Sequence, residues 1–222
     1  DEQDIRKMGG LRSKIPFTFA LFIVGTIAIS GIPPFAGFFS KEVILTAAYE
    51  HGTAMGVFAT SISLLTTIYM FRLLFVVFFK PAGKDFKPAH SVHESPKVML
   101  YPMAILAILS TIAGFVQLPK LVSETQGFDN YLAPIFGTAN GLVAAPEHGL
   151  SIQTEWLIFI LPLCAIALLV FYSYHRFVNA KEMTPATGIE KVLADKFYFD
   201  EIYDSLFVKL IGFLSDILRQ AV

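Results

Sequence analysis

The chain has 222 residues, of which 55% are hydrophobic and only 16% are charged, and its mean hydropathy is +0.61. An average soluble domain carries about 25% charged residues, so this composition predicts a protein whose solvent is a lipid bilayer. The net charge of −1 and the lack of Lys/Arg clusters interleaved with aromatic residues argue against a nucleic-acid partner. The single cysteine, Cys164, excludes an internal disulfide framework and is predicted to have a packing role.

Residues 1–16 are predicted to form a cytoplasmic loop between helices. The opening segment DEQDIRKMGG is acidic and then basic. It lacks the basic region, apolar region and small-residue cleavage site that follow one another in a signal peptide. We therefore expect the chain to be the later part of a longer membrane protein.

Residues 17–51 are predicted to form one discontinuous transmembrane helix. As a continuous helix this stretch would be roughly 50 Å long, whereas the hydrocarbon core is about 30 Å thick. Two adjacent prolines interrupt the hydrogen-bond ladder, and the glycines around them permit irregular backbone. We expect an unwound middle at residues 32–39, with Ser40 as the N-cap of a second helical piece from Lys41 to about Glu50.

Three later runs are each long and apolar enough to cross a bilayer, which requires about 20 residues. They are residues 55–79, 98–118 and 156–178. Trp156 is placed like an interfacial anchor at the start of the last run. Thr60, Ser63 and Thr67 share one face of the first run, and this face is predicted to pack against another helix, with a water-lined path as the alternative.

Lysine and arginine are concentrated in alternate connections, which is consistent with four crossings. The positive-inside rule therefore places loop 119–153 on the outer side and the other long connections in the cytoplasm.

Residues 188–222 show apolar residues at helical spacing and are predicted to be an amphipathic segment on the membrane surface or on a neighbouring subunit. The predicted fold class is all-α, with polytopic transmembrane helices.

Lys41 is the charged residue that is hardest to place in lipid. An ionisable group at bilayer depth costs about 2.5 to 3.5 kcal/mol or more and requires a partner or water. In the first turn of the second helical piece, the positive end of the helix dipole would disfavour a cation, and desolvation acts in the same direction. These arguments favour a role for Lys41 in ion transfer, and a structural ion pair remains the alternative.

Three other ionisable residues are weaker candidates for the same pathway. Glu42 projects about 100° away from Lys41 around a helix, so it can face a neighbouring element, either in ion transfer or in a structural pair. His51 could relay a proton towards the outer side. Arg72 either extends towards the cytoplasm or forms an ion pair. No histidine spacing in the sequence is typical of a metal site.

Three segments carry a resemblance to a known family: DIRKMGGLRSKIPFTF (4–19), GIPPFAGFFSKEVIL (31–45) and DKFYFDEIYDSLFV (195–208). They resemble the last part of the largest antiporter-like membrane subunit, the NuoL and subunit 5 family, of proton-pumping NADH:quinone oxidoreductase (respiratory complex I). The first two motifs are typical of the wider antiporter-like superfamily. The FFSK form and the YFDEIYD segment favour the complex I member.

The resemblance implies that Lys41 is the terminal proton site on a broken helix and that Glu42 is the acidic residue that follows it. It implies that residues 199–219 lead into a lateral helix along the neighbouring antiporter-like subunit. Flavin, iron–sulfur clusters and quinone are expected in partner subunits. No cofactor is expected in this chain. The chain would supply the exit half of a proton path. Several connections rich in lysine favour a bacterial inner membrane over a mitochondrial one. The alternatives are the large subunit of a multisubunit Na+/H+ antiporter and a structural membrane scaffold.

Overall fold

A computed structural model describes residues 4–5, 8–81, 92–116, 131, 134–135, 151–178, 188, 191–192, 195–209, 211–212 and 215. These residues form helices and connections without a strand, which confirms the all-α fold class. Residues 1–180 and 181–222 form two separate compact units. The predicted outer loop, 119–153, lies almost entirely outside the described residues.

Two helices and a short break occupy the region predicted to be discontinuous. Helix α1 spans Pro16–Ser30 and helix α2 spans Ala36–His51. Gly31 ends α1 in the left-handed conformation, with φ of 77°, and the extended residue Phe35 precedes α2. The two prolines lie between them, where their missing N–H groups interrupt no helical hydrogen bond. That α1 and α2 cross the membrane together as one discontinuous helix stays a prediction.

The predicted start of the second helical piece is wrong. The irregular segment covers residues 31–35 rather than 32–39, and Ser40 lies inside α2, where its hydroxyl donates to the carbonyl of Gly37 at 3.3 Å. The break is short because Gly37 lets the first turn of α2 rest against the carbonyl of Ala28 in α1. A side-chain Cβ at this glycine would overlap that carbonyl.

Three further helices are long and apolar enough to cross a membrane, and they overlie the three predicted runs. Helix α3 spans Thr53–Leu74 and continues as a π-helical turn through Phe79. Helix α4 spans Lys97–Ile112 and continues as a 3-10 turn through Val116. Helix α5 spans Ile152–Phe177.

Helix α3 lies at the centre of the first unit, where it packs against α1, α2 and α5. The face that carries Thr60, Ser63 and Thr67 is buried, which confirms the prediction that this face packs against other helices. Gly56 extends the same face, and the ring of Tyr49 from α2 covers it so closely that a Cβ there would overlap the ring. Small residues therefore allow α2 and α3 to approach each other.

An aromatic cluster fills the end of the unit where α1 begins and α3 ends. Its buried members are Phe19, Phe71, Leu74, Phe75, Val77 and Phe78. The guanidinium of Arg12 lies over the rings of Phe19 and Phe79, at 5.5 and 5.2 Å from their centroids. Arg72 was predicted either to extend towards the cytoplasm or to form an ion pair. Its side chain is exposed, and its guanidinium carbon lies 5.8 Å from the centroid of the Phe177 ring.

Glu94, in the segment before α4, caps the start of α1. One carboxylate oxygen accepts a hydrogen bond from the backbone N–H of Phe17 at 2.7 Å, and the other accepts one from the hydroxyl of Thr18 at 2.9 Å. The first N–H groups of a helix have no partner within the helix and attract negative charge. Glu94 therefore joins two segments that are far apart in sequence.

The second unit contains a short helical stretch. A 3-10 turn at Lys196–Tyr198 leads into helix α6, Phe199–Tyr203, which continues as a π-helical turn at Asp204–Val208. The ammonium of Lys196 forms an exposed ion pair with Asp200. The extension of this stretch into a lateral helix stays a prediction.

Candidate functional site

Lys41 lies further along its helix than the sequence indicated. Because α2 begins at Ala36, Lys41 is its sixth residue, beyond the first turn. The effect of the helix dipole on a charge is confined to the terminal turn. The expectation that a positive helix end disfavours the ammonium is therefore wrong, and burial is the effect that disfavours its charge.

The amine of Lys41 is buried without a partner. Its Nζ atom is inaccessible to solvent and makes no hydrogen bond to any described residue. The aliphatic part of the side chain passes over Gly31, where an added Cβ would lie 2.9 Å from Cδ of Lys41. An ammonium has three donors to satisfy, so it is costly to keep in such a place without an acceptor.

A cavity of about 30 Å³ lies beside Lys41 between α2, α3 and α5. Helix α2 contributes Lys41 and Glu42 to its lining and α3 contributes Ser63. The remaining walls are mostly apolar and come from Gly31, Phe38, Leu45, Ile158, Phe159, Pro162, Leu163 and Ile166. The site thus combines two ionisable side chains and a hydroxyl in an otherwise apolar space.

Glu42 lines the same cavity as Lys41, so the structure brings these two predicted site residues together. The hydroxyl of Thr46, one turn further along α2, donates to a carboxylate oxygen of Glu42 at a long 3.4 Å. The carboxylate is half-buried, and its charge contributes to the potential in the cavity.

His51 does not lie at this site. It is the last residue of α2, its side chain is exposed, and it does not line the cavity. Ten residues separate it from Lys41, which corresponds to about 15 Å along a helix. A relay between the two would need further groups, and this role of His51 stays a prediction.

Sequence reasoning missed the contribution of α5 to the cavity. Ile158 and Pro162 lie away from the ends of α5, both side chains are buried, and both line the cavity. A proline inside an apolar run was the available signal, since it removes one helical hydrogen bond and leaves a carbonyl that needs another donor inside a membrane. Two hydroxyls of α1, those of Thr26 and Ser30, were also missed. They are fully buried without a hydrogen-bond partner in the described part of the chain.

Comparison with known proteins gives consistent results along the chain. Residues 1–67 match the family described as "NADH:quinone oxidoreductase/Mrp antiporter, TM". NADH-quinone oxidoreductase subunit L of Rickettsia bellii is 33% identical over 96% of this chain, and NAD(P)H-quinone oxidoreductase chain 5 of Picosynechococcus is 32% identical over 93%. NADH-ubiquinone oxidoreductase chain 5 of Rhizopus stolonifer is 30% identical over 96%.

These relatives share one kind of name and align with nearly the whole chain. The chain belongs to the antiporter-like subunit family. It spans about a third of the length of the curated relatives, covering 34%, 33% and 34% of the three named above. The matched family region, residues 1–67, includes α1, the break, α2 and most of α3. Lys41, Glu42 and Ser63 therefore lie within the region that matches this family.

Proposed function

We propose that the chain belongs to a membrane-arm subunit of NADH:quinone oxidoreductase and supplies the exit half of a proton-translocation path, with Lys41 as the proton carrier. The observation that carries the proposal is the buried amine of Lys41, without a hydrogen bond to any described residue, beside a cavity at a helix break. Non-helical backbone at membrane depth is tolerated where it is buried in protein or lines water. Glu42 would act as the electrostatic partner of Lys41.

Electron transfer through flavin, iron–sulfur clusters and quinone takes place in partner subunits, and residues 188–222 contact the neighbouring antiporter-like subunit. The lysine-rich connections support a bacterial inner membrane over a mitochondrial one. The exposed apolar side chains of α6 and its extension, among them Phe199, Tyr203 and Leu206, suit contact with lipid or a partner.

Substitution of Lys41 by alanine in the assembled complex tests the proton-carrier role. We expect Lys41→Ala to lower NADH-driven proton pumping, and also to slow quinone reduction, because in a coupled pump electron transfer does not proceed freely when proton transfer is blocked. Lys41→Arg should behave similarly, since a guanidinium keeps its proton. Lys97→Ala removes an exposed lysine and is the matched control. A normal rate of proton pumping per assembled Lys41→Ala complex would refute the role.

A secondary Na+/H+ antiporter is the alternative function, and the description of the matched family includes Mrp antiporters. This alternative requires sodium-dependent proton exchange, driven by an ion gradient, in membranes that carry out no NADH-dependent quinone reduction. A purely structural role predicts that Lys41→Ala changes the amount of assembled complex and leaves transport per complex unchanged. Sodium-dependent proton exchange and proton transport per assembled Lys41→Ala complex together distinguish the three functions.

A further inference from the structure

Pro162 removes a hydrogen bond from the middle of α5. A proline has no N–H group, so the carbonyl of Ile158, four residues earlier, loses the donor that an uninterrupted helix would supply. Both residues are buried. Inside a membrane helix, such a carbonyl requires another donor from a neighbouring helix, a polar side chain or an ordered water.

The freed carbonyl belongs to a residue that lines the Lys41 cavity. An ammonium offers donors only, and a carbonyl offers an acceptor only. Nζ of Lys41 forms no direct hydrogen bond to this carbonyl or to any other described group. A water molecule can accept from the ammonium and donate to the carbonyl, and the hydroxyl of Ser63 in the same cavity offers a third contact.

The cavity has the size that such a bridge needs. A buried water requires about 10–15 Å³ of space and two to four polar partners, and the cavity provides about 30 Å³. We propose that Pro162 is a positioning residue: the hydrogen bond that it removes from α5 leaves the carbonyl of Ile158 free to hold a buried water between that carbonyl and Lys41. This inference rests on the proposed function, because it gives the proton of Lys41 its first acceptor.

The step that the water would perform is a simple proton transfer. An N–H bond of the Lys41 ammonium breaks, an O–H bond to the water forms, and the products are a neutral amine and a hydronium ion. The Ile158 carbonyl accepts a hydrogen bond from that hydronium and so stabilises the charge as it develops. Pro162 itself exchanges no proton.

The chain contains a matched control for this device. Pro102 interrupts α4 in the same way and removes the donor for the carbonyl of Val98. Both Pro102 and Val98 are exposed, and neither lines the Lys41 cavity. Pro102→Ala therefore restores a helical hydrogen bond away from the cavity, whereas Pro162→Ala restores one beside it.

The experiment compares the two proline variants in the assembled, full-length complex, with D2O as the probe of the water. We expect Pro162→Ala to lower proton pumping about fivefold, the effect of one hydrogen bond on a rate, and to increase the solvent isotope effect on pumping. Pro102→Ala should change neither. The isotope effect separates a proton-transfer role from a structural one, because a packing defect alone does not change it.

A second pair of variants avoids dependence on the proline. Ser63→Val places methyl groups where the water would lie, and Ser61→Val makes the same change on an exposed face of α3. We expect Ser63→Val to reproduce the Pro162→Ala phenotype and Ser61→Val to be neutral. If Pro162→Ala prevents assembly, this pair alone decides, and equal behaviour of the two serine variants would overturn the proposal.

A double variant shows whether Pro162 acts through Lys41. In the Lys41→Ala background, Pro162→Ala should cause no further loss of pumping. An additional full loss of pumping in the double variant would overturn the inference. So would equal pumping by Pro162→Ala and Pro102→Ala, provided that Lys41→Ala alone lowers pumping. Normal pumping by Lys41→Ala would instead refute the proposed function itself, so the two failures are distinguishable.

Discussion

Gly31→Ala is the substitution that should most directly disturb both the helix break and Lys41. Gly31 ends α1 with φ of 77°, a conformation that side chains other than glycine adopt with strain. The same residue forms the surface over which the Lys41 side chain runs, and an added Cβ would lie 2.9 Å from Cδ. One methyl group therefore acts on backbone conformation and on the position of the amine.

The magnitude follows from these two effects. Holding alanine in the left-handed conformation costs about 1–2 kcal/mol. The contact with Cδ adds less to the free energy of unfolding, since the flexible lysine side chain can shift by a few tenths of an ångström. That shift moves Nζ within the cavity, and because misplacement by about 1 Å can cost 10²-fold in rate, we expect pumping to fall roughly threefold to tenfold.

Heating of the complex in detergent, followed by measurement of the intact fraction, reports the stability, and NADH-driven pumping in vesicles reports the function. Gly25→Ala is the matched control, because Gly25 lies inside α1, is exposed, and an added Cβ there would meet no atom within 4 Å. Alanine favours a helix over glycine by about 0.5–1 kcal/mol, so this variant should be neutral or more stable. Equal stability and equal pumping in the two variants would refute the reasoning.

Two further predictions concern groups at the ends of elements. Glu94→Gln keeps the shape of the α1 cap but removes its charge, so it should destabilise the subunit by about 1 kcal/mol; heating should show this, and Glu50→Gln, at an exposed site, should show no loss. The Asp200 carboxylate, hydrogen-bonded to Lys196, raises the pKa of that lysine. The lysine therefore keeps its proton, and the pair persists at neutral pH, until the pH rises through the raised pKa. Because acylating reagents attack only the neutral amine, Asp200→Asn should shift labelling of Lys196 in membranes to lower pH, with Lys97 as the unaffected reference; an unchanged profile for Lys196 would contradict the prediction.

The sequence predicted the helical runs well because their signal is additive over many residues. Twenty apolar residues in a row leave few alternatives in a bilayer, and the spacing of Thr60, Ser63 and Thr67 predicted a buried face that the structure shows. The start of α2 was harder to place. Ser40 has the chemistry of an N-cap, but the close approach of Gly37 to α1 is a tertiary contact that no local pattern contains.

The site was predictable only in part, for a related reason. Lys41 and Glu42 are visible as charges in an apolar stretch, and the structure places both at one cavity. Pro162 lies 121 residues further along the chain than Lys41, and in the sequence it looks like any other proline within an apolar run. Its relevance depends on α5 packing beside α2 and α3, which is information about the fold.

The arrangement of polar and apolar groups along α1 gives the proposed path a direction. Phe19 lies in the aromatic cluster near the start of α1, and Ser30 lies at its end beside the break, about 16 Å further along the helix. The aromatic cluster, with Arg12 over two of its rings, packs between α1 and the end of α3, at the end of the unit where α1 begins. A charge is costly among packed apolar side chains. Lys41 should therefore exchange its proton through the cavity, towards the end of the unit opposite the aromatic cluster. If α1 begins in the cytoplasm, as the positive-inside rule predicts, the aromatic cluster would oppose the return of the proton on the proposed path.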